Sequence, residues 1–156
     1  MADASVKVTT STQITHIGSG ASIAAGGFSG SADISTALSG TGNLARYPRA
    51  DVTLMIAPTA SIAAASANLY LYRRDLNVDG TNDTPIPGAS NKFRFVAPFQ
   101  ASAATTASTT QYLQATDVSI GAPGDCEFYL ENALGVNIPA GWTLKVTPKT
   151  DVGATA

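Results

Sequence analysis

Hydrophobic and polar residues alternate along much of this chain, in short segments that Gly- and Pro-rich breaks separate. A period of two with β-branched and aromatic residues is typical of strands that cover a core on one face. Eight segments are strand-like, of which Val52–Ile56 is nearly continuously apolar, as expected of a central strand: Val6–Thr9, Gln13–Ile17, Val52–Ile56, Leu69–Tyr72, Lys92–Val96, Tyr112–Ile120, Cys126–Leu130 and Trp142–Thr147. They predict an all-β fold, a single antiparallel β-sandwich that is jelly-roll-like, has about eight strands and spans residues 1–156.

Helix signals are weak by comparison. Ala57–Ala67 is the best candidate because Pro58 would lie in its first turn, yet it has no charged pairs at helical spacing. Residues 1 to about 10 and 150–156 are expected to be weakly held termini.

The segment Leu69–Tyr72 is apolar on both faces, with Leu69 and Leu71 on one side and Tyr70 and Tyr72 on the other. A strand covered on both sides lies either at the centre of a sheet or at a subunit interface. A sugar-stacking surface formed by Tyr70, Tyr72, Tyr47 and Trp142 is the alternative interpretation.

Charged residues form only 13% of the chain, about half the usual quarter, so its surface is covered mainly by uncharged polar groups. The net charge of −2 argues against a nucleic-acid partner, which would require a basic surface. No secretion signal follows Met1 and no apolar run approaches the ~20 residues of a membrane span, so we expect a soluble protein made in a cytoplasm, with no membrane partner.

Most basic residues nevertheless fall in the middle of the chain. They are either solvent-facing strand residues or one basic patch that meets an acidic partner. They are Arg46, Arg49, Arg73, Arg74, Lys92 and Arg94.

Side chains with oxygen ligands at alternate positions, followed by Gly80 at the sharp turn, match the opening of a calcium-binding loop in Asp75–Gly80. The candidate ligands are Asp75, Asn77, Asp79 and Asp83. Ile86 stands where such a loop places a bidentate Glu, and no helical pattern flanks the segment. A tight turn whose side chains cap its own backbone is therefore the alternative to calcium, and no other cofactor is expected.

Residues that could support catalysis are few, and we expect no enzymatic activity. His16 is the sole histidine and lies in an alternating segment, which favours a structural role. Cys126 is the sole cysteine, and its flanking carboxylates would raise the pKa of its thiol. The acidic pairs Asp79/Asp83 and Asp125/Glu127 lie in a turn or at a strand start.

The stretch Leu69–Pro87, a strand that runs into an Asn-Val-Asp-Gly-Thr-Asn-Asp loop and a Pro-x-Pro, resembles small virion structural proteins of tailed bacteriophages. The aromatic segment Lys92–Val96 and the closing segment Asn137–Val146 are similar to such proteins as well. The resemblance covers roughly residues 50–148.

The resemblance implies a jelly-roll cement or decoration protein on the exterior of a phage capsid. Its partners would be the major capsid protein and further copies of itself, as a dimer or trimer. A tail- or fibre-associated module that binds carbohydrate or a receptor is the alternative function. The Gly-rich N-terminal third and the Asp75–Pro87 loop are the expected contact elements. The candidate contact residues are Arg73, Arg74, Asp75, Asn77, Asp79, Asn82 and Asp83.

Overall fold

A computed structural model describes residues 7–38, 47–57, 68–101, 110–120 and 125–152. It confirms the predicted fold class: two antiparallel sheets consistent with a β-sandwich, with eight strands in the described part of the chain. The strands are β1 (Lys7–Thr10), β2 (Ile14–Gly20), β3 (Arg49–Ile56), β4 (Asn68–Asp75), β5 (Phe95–Gln100), β6 (Gln111–Ser119), β7 (Cys126–Asn132) and β8 (Trp142–Val152).

Helical structure within these ranges is confined to one 3-10 turn, Ser31–Asp33, and no helix there is long and apolar enough to cross a membrane. Of the helix candidate Ala57–Ala67, residues 58–67 lie outside the described residues.

The first sheet has the order β1-β8-β3-β6, and β2 follows β1 along the same edge of β8. Lys7 is paired with Val152 and Gly20 with Trp142, so the two short strands act as one interrupted edge strand. Residues 7–10 and 150–152, within the termini predicted to be weakly held, belong to these strands.

The second sheet has the order β5-β4-β7, so β4 is a central strand, as one of the two interpretations of its sequence predicted. Residues 26–38 follow the other edge of β7 through bridges between Phe28 and Glu131 and between Leu38 and Cys126. This segment also reaches the first sheet, because the amide groups of Ser35 and Thr36 donate to the His16 carbonyl. It therefore covers one side of the sandwich.

The core lies between the sheets and includes inward residues of most of the predicted alternating segments. Each fully buried Val, Leu, Ile or Phe side chain stabilises the fold by about 1.5–3 kcal/mol. The buried set includes Val52, Leu54, Ile56, Leu69, Leu71, Leu113, Phe128, Leu130, Leu144 and Val146.

Trp142, at the start of β8, is completely buried and lies directly against the backbone of Gly20. Its Nε1 donates to the Ala21 carbonyl at 2.7 Å, which fixes the orientation of the indole. A Cβ atom added at Gly20 would lie 2.0 Å from Cε2 of the ring. Only glycine allows this approach.

Replacing Gly20 with Ala should therefore destabilise the protein by about 1–3 kcal/mol, because the packed indole and its hydrogen bond must move. Chemical denaturation followed by Trp142 fluorescence measures this loss. Gly135→Ala is the matched control, since a Cβ there would meet no atom within 4 Å. Equal stability of the two variants would contradict this account of the Trp142 contact.

His16 is fully buried and connects β2 of the first sheet to β7 of the second. Its Nε2 accepts the amide hydrogen of Phe128 at 2.9 Å, so Nδ1 carries the proton and donates to the Thr36 carbonyl at 2.6 Å. Burial lowers the pKa of the imidazole below 6.5, against the opposing effect of these two backbone contacts. Both contacts together require the neutral ring.

Because the pKa of His16 is lower in the folded than in the unfolded protein, its contribution to stability is present above pH 6.5 and is lost as the pH falls through the folded value. The free energy of unfolding should fall as the pH drops below the unfolded-state value of 6.5. His16→Gln should be less stable at neutral pH and should show a smaller fall, since its side chain does not titrate. An identical pH slope in both proteins would contradict this assignment.

Candidate functional site

The loop between β4 and β5, residues 76–94, is attached to the outer face of the second sheet. Arg74 of β4 donates through Nε to the Thr84 carbonyl at 2.9 Å and pairs through Nη2 with Asp83 at 2.9 Å. Near the end of the loop, Nζ of Lys92 lies 2.5 Å from Oε1 of Glu131 on β7. The Asp75–Pro87 segment, expected to be a contact loop, is thus held in place by its own sheet.

Between these two attachment points, tyrosine–glutamate hydrogen bonds lie on the outer face of the second sheet. Nothing in the sequence indicated them. The Tyr129 hydroxyl donates to Glu127 at 2.8 Å, and Glu127 also accepts from Arg74 at 3.3 Å. The Tyr72 hydroxyl donates to Glu131 at 2.8 Å. Burial, together with these carboxylates, raises the pKa of both tyrosines to about 12. The tyrosines are therefore neutral hydrogen-bond donors that fix the two glutamates.

At the end of β4 the carboxylate of Asp75 is shared by two arginines. Arg73 contacts one of its oxygens and Arg94 the other, while Arg73 also donates to the Ile120 carbonyl after β6. Asp75 is only 7% exposed. The cluster connects both sheets, and the Arg94 side chain, which pairs with Asp75, remains half exposed.

The tip of the loop is a tight turn, the alternative to calcium that the sequence left open. Asp79 accepts hydrogen bonds from the side chain of Asn82 and from the amides of Asn82 and Thr81, which lower the pKa of its carboxyl to about 2. Asp83 accepts from the Asn77 amide at 3.0 Å. Asn77 and Gly80 have positive φ angles of 53° and 88°, as such turns require.

The predicted calcium ligands do not form one site. Asp75 faces two arginines at the end of β4, Asp83 faces Arg74 and the Asn77 amide, and Asp79 is occupied by the turn. Within the described ranges, no group of three or more His, Cys, Asp or Glu residues is arranged to hold a metal. The residues that alternate in the sequence do not converge on one point in the structure. Asp75 belongs to strand β4, and the carboxylates of Asp79 and Asp83 already accept hydrogen bonds from the protein itself.

Asp75→Asn should cost about 3 kcal/mol or more, because it leaves the largely buried Arg73 without its carboxylate. Asp79→Asn should have a clearly smaller effect, since that residue is exposed. Thermal and denaturant unfolding of the two variants measures the difference. A greater loss in Asp79→Asn than in Asp75→Asn would show that the loop tip, and not the arginine cluster, dominates stability here.

Phe93 and Phe95 are the most prominent departure from the predicted strands. The alternation in Lys92–Val96 predicted a strand with one face on the core, but β5 begins only at Phe95. Arg94 has a φ of 59°, and a bulge at Val96 shifts the register against β4. As a result Phe93 is 73% exposed and Phe95 53% exposed.

This protruding segment is held firmly. The Arg94 carbonyl accepts from the Arg73 amide at 3.0 Å, and its side chain pairs with Asp75. The Phe95 ring makes edge contacts with Tyr70 and Tyr72, each at 6.0 Å between centroids. A left-handed backbone at a residue other than glycine is strained, and such strain is concentrated at functional sites.

Two open pockets flank the arginine pair at this position. One, of about 210 Å³, is lined by Arg73, Thr84, Pro85, Asn91, Phe93 and Arg94. The other, of about 200 Å³, is lined by Arg73, Arg94, Phe95, Val96 and Ser119. We call Pro85, Phe93, Arg94 and Phe95 the Phe93–Phe95 patch. It is our candidate functional site. In the sequence, its only signal is a pair of aromatic residues next to basic residues.

The predicted contact residues fall into two groups. Asn77, Asp79, Asn82 and Asp83 lie at the exposed loop tip, whereas Arg73, Arg74 and Asp75 are at least half-buried in ion pairs.

The basic residues do not form one patch. Arg49 lies on the first sheet beside Asp117, Arg46 is outside the described residues, and Arg73, Arg74, Lys92 and Arg94 surround the loop, each paired with a carboxylate.

The aromatic set considered for sugar stacking is not available as one surface. Trp142 is in the core, Tyr72 is buried, and Tyr70 and Tyr47 are half-buried. Cys126 is buried at the start of β7. Burial raises the pKa of its thiol to about 11, with a smaller contribution from the flanking carboxylates and an opposing one from Arg73.

Comparisons with models of known protein families, with curated proteins and with solved structures found no match.

Proposed function

We propose that this protein is a structural component of a tailed-phage virion, a jelly-roll cement or decoration protein that binds the exterior of the assembled capsid. The support from the sequence is the resemblance carried by Leu69–Pro87 and by the closing segment Asn137–Val146. The β-sandwich fold is compatible with this role, because capsid cement requires a stiff domain and flat contact surfaces rather than a reactive centre.

The observation that carries the proposal is the Phe93–Phe95 patch. Two exposed phenylalanines flank a strained arginine that is held by a buried carboxylate. Aromatic and arginine side chains are enriched at the centres of protein interfaces, where a few such anchors supply most of the binding free energy. A rigid patch also loses little conformational entropy when it binds.

The chemistry of the patch defines its partner. The phenylalanines require apolar pockets, and the half-exposed guanidinium of Arg94 suits a hydrogen-bond acceptor, such as a carboxylate, at the rim. The partner we propose is such a surface on the major capsid protein, repeated across the capsid lattice. If the protein is itself a dimer or trimer, several modest contacts bind together and avidity strengthens attachment.

The double variant Phe93→Ser/Phe95→Ser should weaken binding to capsids at least about tenfold, since the two lost anchors together are worth about 1.4 kcal/mol or more. Co-sedimentation with expanded capsids of the phage that carries the gene measures this. Val8→Ser is the control, because Val8 is an exposed apolar residue on β1 in the other sheet.

Failure of the unmodified protein to bind any capsid form would overturn the proposal. Binding to a glycan array that is lost in the Phe93→Ser/Phe95→Ser variant would instead favour the carbohydrate-binding alternative. Capsid binding that is equal in the double variant and in Val8→Ser would remove the patch from the attachment surface.

A further inference from the structure

The edge of β7 that faces away from β4 is closed by two different parts of the chain. Alternate amides of this strand, at residues 126, 128, 130 and 132, point to that edge. The amide of Phe128 donates to the ring of His16 at 2.9 Å. The other three donate to residues 26–38, which we call the covering segment, at the carbonyl of Leu38, the hydroxyl of Ser29 and the carbonyl of Gly27.

His16 reaches this position through a bulge in β2. The register of β2 against β8 shifts between Thr15 and Ile17, so His16 is the extra residue. A bulge changes the direction of a side chain, and both His16 and Ile17 are buried here. The covering segment forms the 3-10 turn Ser31–Asp33 along this stretch, and the imidazole binds the one amide of the β7 edge that the segment leaves to it.

His16 also holds the covering segment itself. Its Nδ1 donates to the Thr36 carbonyl at 2.6 Å, and its own carbonyl accepts from the amides of Ser35 and Thr36 at 2.9 and 3.2 Å. One residue therefore connects β2, the covering segment and β7. Of these contacts, only the one with Phe128 requires an unprotonated Nε2, because an imidazolium donates from both ring nitrogens.

The groups around the ring do little to compensate a proton taken up there. Burial is the largest effect on the pKa of His16 and lowers it, while the Glu127 carboxylate on β7 opposes it less than the two backbone contacts do. In the covering segment, both oxygens of Asp33 already accept backbone amide hydrogens. Burial raises the pKa of the Cys126 thiol to about 11, so it is neutral, and Lys145 of β8 is on the solvent face of the first sheet. A charged His16 is therefore stabilised mainly by access to water.

The covering segment is the neighbour of His16 that can move most easily. β2 is paired with β8, and β7 is paired with residues 69–75 of β4. Residues 26–38 have no strand ladder, and isolated bridges at Phe28 and Leu38 together with side-chain hydrogen bonds attach them to the sheets. Segments with few backbone pairs open locally before the whole domain unfolds.

We propose that His16 is an acid-operated latch: proton uptake by its ring detaches residues 29–38 of the covering segment from the edge of β7 while both sheets stay folded. The contacts of His16 with Ser35 and Thr36 are compatible with a charged ring, so the segment remains attached to β2. Opening exposes Leu38, which is only 3% exposed in the closed form, so the open form is rare at neutral pH. The latch does not depend on the proposed attachment to a capsid.

Native-state hydrogen exchange of the full chain over a pH series tests this inference. Protection of each amide is measured relative to the unfolded chain at the same pH, because the chemical exchange rate itself depends on pH. Protection at residues 128 and 130 should fall about tenfold for each pH unit below 6.5, the unfolded pKa of His16, until the folded value is reached, since opening takes up one proton. It should also be at least about tenfold lower than protection at residues 127, 129 and 131, whose amides face β4 and exchange when the sheet unfolds.

Equal protection of these two sets of amides would overturn the inference, since the proton would then act only through unfolding of the whole domain. This comparison needs no variant. His16→Gln is the control for the titrating group, because its amide oxygen can accept from Phe128 but does not titrate. In this variant, protection at residues 128 and 130 should lose most of its pH dependence. The same pH dependence in both proteins, or none in the unmodified protein, would also overturn the inference.

Discussion

The shared carboxylate of Asp75 is the interaction on which the rest of this structure depends. It neutralises Arg73, which is largely buried and also binds the carbonyl of Ile120 from the opposite sheet. Through its other oxygen it holds Arg94, the residue with the strained backbone at the start of β5. One buried group thus connects the sheets, closes the long loop and keeps two phenylalanines in solvent. A buried carboxylate is costly to desolvate, and two arginines offset that cost.

The second sheet is covered on both faces by parts of the same chain. Its inner face packs on the first sheet, and its outer face is occupied by tyrosines, glutamates and the loop that arginine and lysine hold down. The low charge content of the chain makes this use of charge informative, because a large share of its ionic residues is committed to one structural network. The surface that remains for a partner is therefore defined by the aromatic residues that the network leaves exposed.

The strands could be predicted from the sequence because alternation is a local property, and residues such as Leu69, Leu71, Leu144 and Val146 lie inward as their pattern required. The partner of Asp75 could not be predicted, since Arg94 is brought to it only by the folded loop. The left-handed conformation of Arg94 carries no local signal either, so the two phenylalanines beside it were expected in the core.

The contacts of buried polar residues could not be predicted from the sequence for a related reason. Asn132 is fully buried, and its side-chain amide nitrogen lies within hydrogen-bond distance of the carbonyls of Ile23, Ala24 and Val136, a set that only the tertiary structure brings together. His16 was placed correctly in a strand, but its bonds to Thr36 and Phe128 span both sheets. Residue patterns report which side of a strand is apolar, whereas these contacts depend on how segments distant in sequence meet.

The pairing of β1 with the end of β8 has a practical consequence. Lys7 and Val152 are directly opposite each other, and paired residues in antiparallel strands have Cα atoms only about 5 Å apart. A short linker could therefore join these two positions, and new termini could be opened in a loop on another side of the sandwich. Peptides fused at either position would leave the domain at the same corner. A peptide could therefore be displayed on the same side of the domain from either position.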